Sequence, residues 1–183
     1  MRHDLKCVSA VCLVTWIMYL EGVSATVVLP ADFTTVVIDS SLIVHGRILS
    51  ARAALTGPER IIETVVTVAV LESLKGGVTE TVSFRVPNGQ VGRYRRVLIG
   101  APEFTAGEEV VVFLRGRAPA MPMVFGLNQG LYRVARDAFA QAMVMPPRLT
   151  ASAGRVVRGD PARVPLPLDV FTREVRAVLE QAR

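Results

Sequence analysis

From Leu42 onward, apolar and polar positions alternate with a period of two, in short runs separated by Gly, Pro and Asn. Regular turn signals between such runs predict an all-β barrel or sandwich. The first strand covers 42–49, where the side-chain-free Gly46 marks a bulge or a barrel bend. After a loop carrying Thr56-Gly57-Pro58, a long strand over 61–74 places Ile62, Thr64, Val66, Val68 and Val70 on one face. The pair Gly76-Gly77 predicts a tight reversal into 78–86, where Val78, Val82, Phe84 and Val86 share a face. Beyond the break Pro87-Asn88-Gly89, a fourth strand is expected over 93–99. A turn at Ala106-Gly107 leads into 108–114, whose uninterrupted Val-Val-Val-Phe-Leu run reads as a buried central strand. Shorter strands are expected over 122–125, 131–134 and 139–143.

Two helices bracket these strands. Residues 31–39 follow Pro30 and set Phe33, Val36 and Val37 on one side. In 167–183, Leu168, Phe171, Val175, Val178 and Leu179 recur at helical spacing, with Arg173, Glu174, Arg176 and Glu180 opposite. Between them, 146–166 is rich in Pro, Gly, Ala and Arg without periodicity and reads as a linker. An apolar stripe of this kind packs on its own domain or is presented to a partner, and the first is the ordinary outcome.

The beginning of the chain follows another pattern. Arg2 and Lys6 precede 14 apolar-rich residues from Cys7 to Leu20, followed by Val23-Ser24-Ala25. This is the layout of a secretory signal peptide over 1–25, cleaved after Ala25. A helix needs about 20 apolar residues to span a bilayer, so no membrane anchor is expected after cleavage. The expected organisation is a signal peptide over 1–25, a β-barrel domain over 26–145, the linker over 146–166 and the C-terminal helix. The protein is expected to be exported, to the periplasm or outside the cell.

Removing that leader changes the available chemistry. Both cysteines, the only tryptophan and one of the two histidines leave with it. Thiol catalysis, disulfides, zinc–thiolate sites and iron–sulfur clusters are thereby excluded from the mature chain. A chain of 183 residues buries enough surface to do without such staples. The leader carries two cations and two anions, so the formal charge stays at +5. Lys75 is the sole lysine left, and the arginines are scattered except for the group Arg93, Arg95 and Arg96. With aromatics at 6%, the interleaved stacking residues of a single-strand nucleic-acid groove are missing, and nucleic acid is not the expected partner.

The sequence carries no recognisable catalytic pattern. His45 is the only mature histidine, and it reads as a hydrogen-bonded or exposed strand residue rather than a base or metal ligand. No nucleophile elbow, phosphate-binding loop, dinucleotide fingerprint or calcium loop occurs. Glu108-Glu109 is the only adjacent carboxylate pair, and neighbours on a strand point to opposite faces. Asp160-Pro161 reads as a turn. No cofactor and no metal are called for.

Three stretches carry a resemblance: Ser41-Leu-Ile-Val-His-Gly-Arg-Ile48, Val68-Ala-Val-Leu-Glu-Ser-Leu-Lys-Gly76 and Gly100-Ala-Pro-Glu-Phe-Thr-Ala-Gly-Glu-Glu-Val-Val-Val-Phe-Leu114. Together with the order of elements over 32–135, they resemble exported bacterial proteins of unknown function. More distantly, they are similar to the OB-fold barrel of the tissue-inhibitor-of-metalloproteinases and netrin-module group. The resemblance implies a mainly β, OB-like barrel, closed or partly open, with a short N-terminal helix and a C-terminal amphipathic helix. Those inhibitors chelate a protease zinc through a mature N-terminal cysteine. A chain starting at Thr26 has none, so no inhibitory residue carries over.

OB barrels bind ligands on one sheet face and through connecting loops. The loops over 88–96 and 125–130 are therefore the candidate site, with Arg93, Arg95, Arg96, Asn128 and Gln129 as its ligand-binding residues. Arg93 and Arg95 are expected on one side and Arg96 on the other, a cationic spot suited to a carboxylate, phosphate or acidic surface. The expected function is a non-enzymatic binding or interaction module, its partner a protein or an anionic ligand. The alternatives are a regulator or inhibitor of a secreted protease, a weak binder of nucleic acid or anions through these loops, and an enzyme using carboxylates or backbone groups alone, with Glu108 and His45 the residues first suspected.

Overall fold

The computed structural model describes residues 31–116, 119–147 and 164–182. The expected signal peptide, Asp160-Pro161 and most of the expected linker lie outside these residues.

Helix α1, Phe33–Asp39, opens on Asp32, whose side chain accepts a 2.7 Å hydrogen bond from Thr35 N. This cap satisfies one of the otherwise orphaned N–H groups of the first turn. At the other end, Ser40 Oγ donates to the Val36 carbonyl at 2.6 Å. The strands follow as β1 (Leu42–Thr56), β2 (Ile61–Lys75), β3 (Thr81–Val86), β4 (Gly89–Val91), β5 (Tyr94–Arg96), β6 (Glu109–Arg115), β7 (Met123–Val124), β8 (Leu131–Arg136), β9 (Ala142–Met145) and β10 (Leu166–Pro167). Helix α2, Leu168–Gln181, closes the chain.

Strands β1, β2, β3, β7 and β6 run in that order around a barrel, and β6 pairs back onto β1 to close it. The β3–β7 pair is parallel and the other pairs are antiparallel. The fold is thus a mainly β, OB-like closed barrel with a short helix before it and a helix after it. The edge of β6 facing away from β1 is shared: its C-terminal end pairs with β7, while Glu109–Val112 pairs with β8. Strands β9 and β10 extend this sheet past the barrel.

Strand β6 lies between two cores. Val110, Val112 and Leu114 point into the barrel beside Val44, Val66, Val68 and Phe84. Val111 and Phe113 point outward, beneath α1 and α2. All five side chains are fully buried, which is why this strand reads as one unbroken apolar run. The outer core is aromatic. Tyr132 and Phe171 lie 4.9 Å apart between ring centroids, Phe113 and Tyr132 5.3 Å, and Phe33 and Phe171 5.6 Å. Such pairs contribute roughly 0.5–1.5 kcal/mol each beyond their area. The predicted stripe of α2 therefore packs on its own chain through Phe171 and Val175.

Gly46 sits at a register shift between β1 and β2, the predicted bulge. A Cβ there would fall 2.3 Å from the Ala69 carbonyl oxygen, so the close strand approach requires glycine.

Four expectations need correction. The first strand runs past 49 to Thr56, because β2 pairs with it along its whole length. Gly76-Gly77 is not a two-residue reversal. The end of β2 pairs with β1 as far as Ile43↔Lys75, whereas β3 begins only opposite Ala69, so residues 76–80 must travel back along β2. The strand expected over 93–99 is split. Gly92, at φ 58, starts a two-residue turn that folds β5 back on β4 in a separate two-stranded sheet. The strand expected over 139–143 becomes a turn followed by β9. Asp137 Oδ1 accepts from the N–H groups of Phe139 and Gln141, at 2.8 and 2.9 Å, and Phe139 is left 91% exposed.

Candidate functional site

Beyond Ile48, β1 leaves β6 and continues with β2 alone as a two-stranded arm at the mouth of the barrel. The β4–β5 hairpin lies against this arm. Gly89, at φ 147, sits so close that a Cβ would be 2.9 Å from the Ala53 methyl and 3.0 Å from Thr64 Oγ1. Thr64 Oγ1 donates to the Asn88 carbonyl at 2.8 Å, and Asn88 Nδ2 donates to the Pro102 carbonyl at 3.2 Å. Between hairpin, arm and the 97–105 segment opens a cleft of about 560 Å³. Its polar lining includes Asn88, Gln90, Arg95, Arg96 and Thr105.

The two arginines of the cleft differ. Arg96 reaches the Ile62 carbonyl at 3.4 Å and Glu63 Oε1 at 3.9 Å. Buried Glu63 also receives Arg85 Nη1 on Oε2 at 3.3 Å and a short hydrogen bond from Thr56 Oγ1. Arg85, Glu63 and Arg96 thus tie β3, β2 and β5 together. Arg95 is exposed, and its side chain makes no hydrogen bond or ion pair among the described residues. Glu103, across the cleft, is the other charged group lining it.

Arg93 does not join them. It occupies the turn, where strand alternation does not apply, and its guanidinium stacks on Tyr94 at 5.0 Å while Nη2 donates to Tyr94 Oη at 2.8 Å. The pairing of Arg93 with Arg95 against Arg96 is therefore corrected: Arg95 and Arg96 share the cleft. Asn128 and Gln129 sit in the loop after β7, outside the cleft lining. Gln129 is 3% exposed, and its Oε1 accepts the Ala31 backbone N–H at 2.6 Å, tying the start of the described chain to this loop.

Asn88 and Gln90 fall within the expected loop over 88–96, although not among its named ligand-binding residues, whereas the sequence reading missed Glu63 and Thr105. A buried carboxylate in a β run is a recognisable signal, but its partners depend on the β2–β3 register. His45 is the hydrogen-bonded strand residue expected. It is 7% exposed, with Nε2 2.9 Å from Glu109 Oε1. Glu109 Oε2 in turn receives Arg47 Nη2 at 3.3 Å. Glu108 points the other way, toward Thr105 N and Arg133.

Among the described residues, no group of three or more His, Cys, Asp or Glu side chains could hold a metal ion. No helix among them is long and apolar enough to cross a membrane. No protein-family model matches the chain, and a search of curated proteins finds no match.

Proposed function

We propose that this protein is an exported, non-enzymatic binding module that holds an anionic group of its partner, a carboxylate or a phosphate, in the cleft between the β1–β2 arm and the β4–β5 hairpin. One observation carries the reading: Arg95 lines a polar cleft, and its side chain has no hydrogen-bond or ion-pair partner among the described residues. Arg96 beside it is already positioned by Glu63 and the Ile62 carbonyl. A guanidinium offers a planar fork of donors matched to two oxygens of a carboxylate or phosphate. Asn88, Gln90 and Thr105 can complete the hydrogen bonding, and an OB-like barrel commonly uses its mouth loops for such contacts. Export rests on the leader pattern over 1–25.

The test is a titration of the protein recovered from the exported fraction with inorganic phosphate and, separately, with citrate, read through the Arg95 side-chain Nε–Hε signal. A saturable shift with either anion, absent in Arg95→Gln, supports the reading. No shift with either removes it. Sequencing the amino terminus of the same sample should begin at Thr26, and an intact Met1 would refute export by cleavage.

A further inference from the structure

The outer edge of β1 loses its neighbour partway along the strand. As far as Ile48 it is covered: Ile48 N donates to the Glu108 carbonyl, and the Ile48 carbonyl accepts from Gly107 N, each at 2.8 Å. Beyond that point residues 50–56 pair with β2 alone. The ladder decides which groups are left over. Val70 N donates to the Glu80 carbonyl, so even-numbered residues of β2 turn their backbone groups toward β3 and odd-numbered ones toward β1. The odd positions Ile61, Glu63, Val65 and Thr67 stand opposite Thr56, Ala54, Arg52 and Ser50. Ala51, Ala53 and Leu55 therefore direct their N–H and C=O groups outward, where those groups meet no partner among the described residues. Edges of this kind are ordinarily blunted by proline, lysine, a bulge or a covering element. Residues 50–56 contain no proline, no lysine and no register shift. The β4–β5 hairpin lies on the face of the arm, against the Ala53 and Thr64 side chains, and leaves the edge open.

We propose that this edge takes a further strand: an extended, acidic segment of a partner protein, hydrogen-bonded to Ala51, Ala53 and Leu55, with one carboxylate reaching Arg95. The inference rests on the anion-binding reading of the cleft for that carboxylate and goes beyond it in naming the partner. Two of the three edge residues, Ala51 and Ala53, also line the cleft, so the open edge borders it. A residue paired with Ala53 sends its side chain to the same face, which is the cleft side, and the alanine methyls leave room there. Alternation places Arg52 on the opposite face, exposed, its side chain without a hydrogen-bond or ion-pair partner among the described residues. Unpaired guanidiniums thus stand on both faces of an incoming strand, and their charge selects an acidic segment. The main chain supplies affinity independent of sequence, and alternate side chains supply the specificity. A free phosphate or citrate uses Arg95 and leaves the edge empty.

The full-length protein is titrated with acetyl-Val-Glu-Val-Glu-Val-amide while backbone amide exchange is followed. In the free protein Ala51, Ala53 and Leu55 should exchange faster than Ser50, Arg52 and Ala54, which bond to β2. The peptide should slow the three edge amides saturably. Methylating the backbone nitrogens of both glutamates keeps the charge and removes two donors, which should weaken binding about tenfold, the loss expected for two net hydrogen bonds. Ala53→Pro replaces the outward N–H with a ring, a change that an edge strand accommodates, and should abolish the protection with the thermal melt retained. The methylated peptide tests the same point without altering the protein. Edge amides that already exchange as slowly as their neighbours in the free protein, no slowing up to the solubility limit of the peptide, or equal affinity for the methylated peptide overturns the proposal. Protection that grows with protein concentration alone, with a doubled mass, gives the edge to a second copy and likewise overturns it. The two readings fail separately. An Arg95 response to phosphate or citrate without edge protection removes the added strand only, whereas equal edge protection by acetyl-Val-Gln-Val-Gln-Val-amide removes the anionic anchor.

Discussion

The inside of the barrel and its helix-covered outer face are built from the same strands but by different means. The inner core is almost entirely β-branched and aliphatic, with Phe84 its one fully enclosed ring, and it is assembled by strand pairing. The outer core is aromatic and draws on α1, β6, β8, β9 and α2, elements far apart in sequence. Compact branched residues suit a small closed barrel, where each position is fixed by the pleat and the register. Large flat rings suit a seam between helices and a sheet, where few residues must cover much area. Strand β6 belongs to both. The difference implies that damage to the inner core removes the whole fold, whereas damage to the outer core first detaches what is laid upon it.

The largest expected effect follows from Val112, which lies wholly within the barrel. Val112→Asp buries an unpaired carboxyl at a cost of several kcal/mol, comparable to the whole stability of a domain. The variant should show no cooperative thermal transition, and a normal melt would refute the inner-core assignment. Next comes Phe171→Ala. Phe171 touches Phe33, Phe113 and Tyr132, and truncation should cost roughly 3–5 kcal/mol. Hydrogen exchange should speed up first in Leu168–Gln181 while β1, β2 and β3 stay protected. Equal loss of protection in those strands would show that the two cores unfold as one unit.

What the sequence revealed follows the same division. Period-two alternation in β2, the unbroken run of β6, the Gly46 bulge and the helical stripe of α2 are local signals, and each is present in the structure. The failures depend on pairing. Gly76-Gly77 looks like a hairpin turn until β2 is seen to continue along β1 to Lys75. Gly92 divides what periodicity alone joins into one strand. The site follows the same rule. Arg95 was visible as part of a basic cluster, but its cleft exists only because Gly89 lets the hairpin settle on Ala53 and Thr64. His45 and Glu109 meet across 64 positions, and Gln129 meets Ala31 across 98, separations that no local pattern encodes.

A smaller effect is expected at the ion cluster joining the barrel to its hairpin. Glu63 has a 7% exposed side chain, while Arg85 and Arg96 are 38% and 40% exposed. Removing one partner of a fully buried pair costs roughly 3–5 kcal/mol, but these guanidiniums reach water and are screened. Glu63→Gln should therefore lower stability by about 1–2 kcal/mol, read as a lower urea midpoint with unchanged slope. The β4–β5 hairpin should lose exchange protection before the barrel does. Unaltered hairpin protection would mean that Gly89 and Thr64, not the ion cluster, seat it.

The smallest effect on stability is expected at Arg95, and this separates binding from architecture. Its side chain is exposed and makes no contact with another charge among the described residues. Arg95→Gln should leave the melting curve within about 0.5 kcal/mol of the parent, as surface substitutions away from special features do. The same variant should lose the response to phosphate or citrate, because the one uncommitted guanidinium of the cleft is gone. Arg96→Gln is the matched control. It weakens the hold on Glu63 and the hairpin, so it should change both stability and anion response. If the two variants behave alike, the distinction between a free arginine that binds and an anchored arginine that builds is wrong.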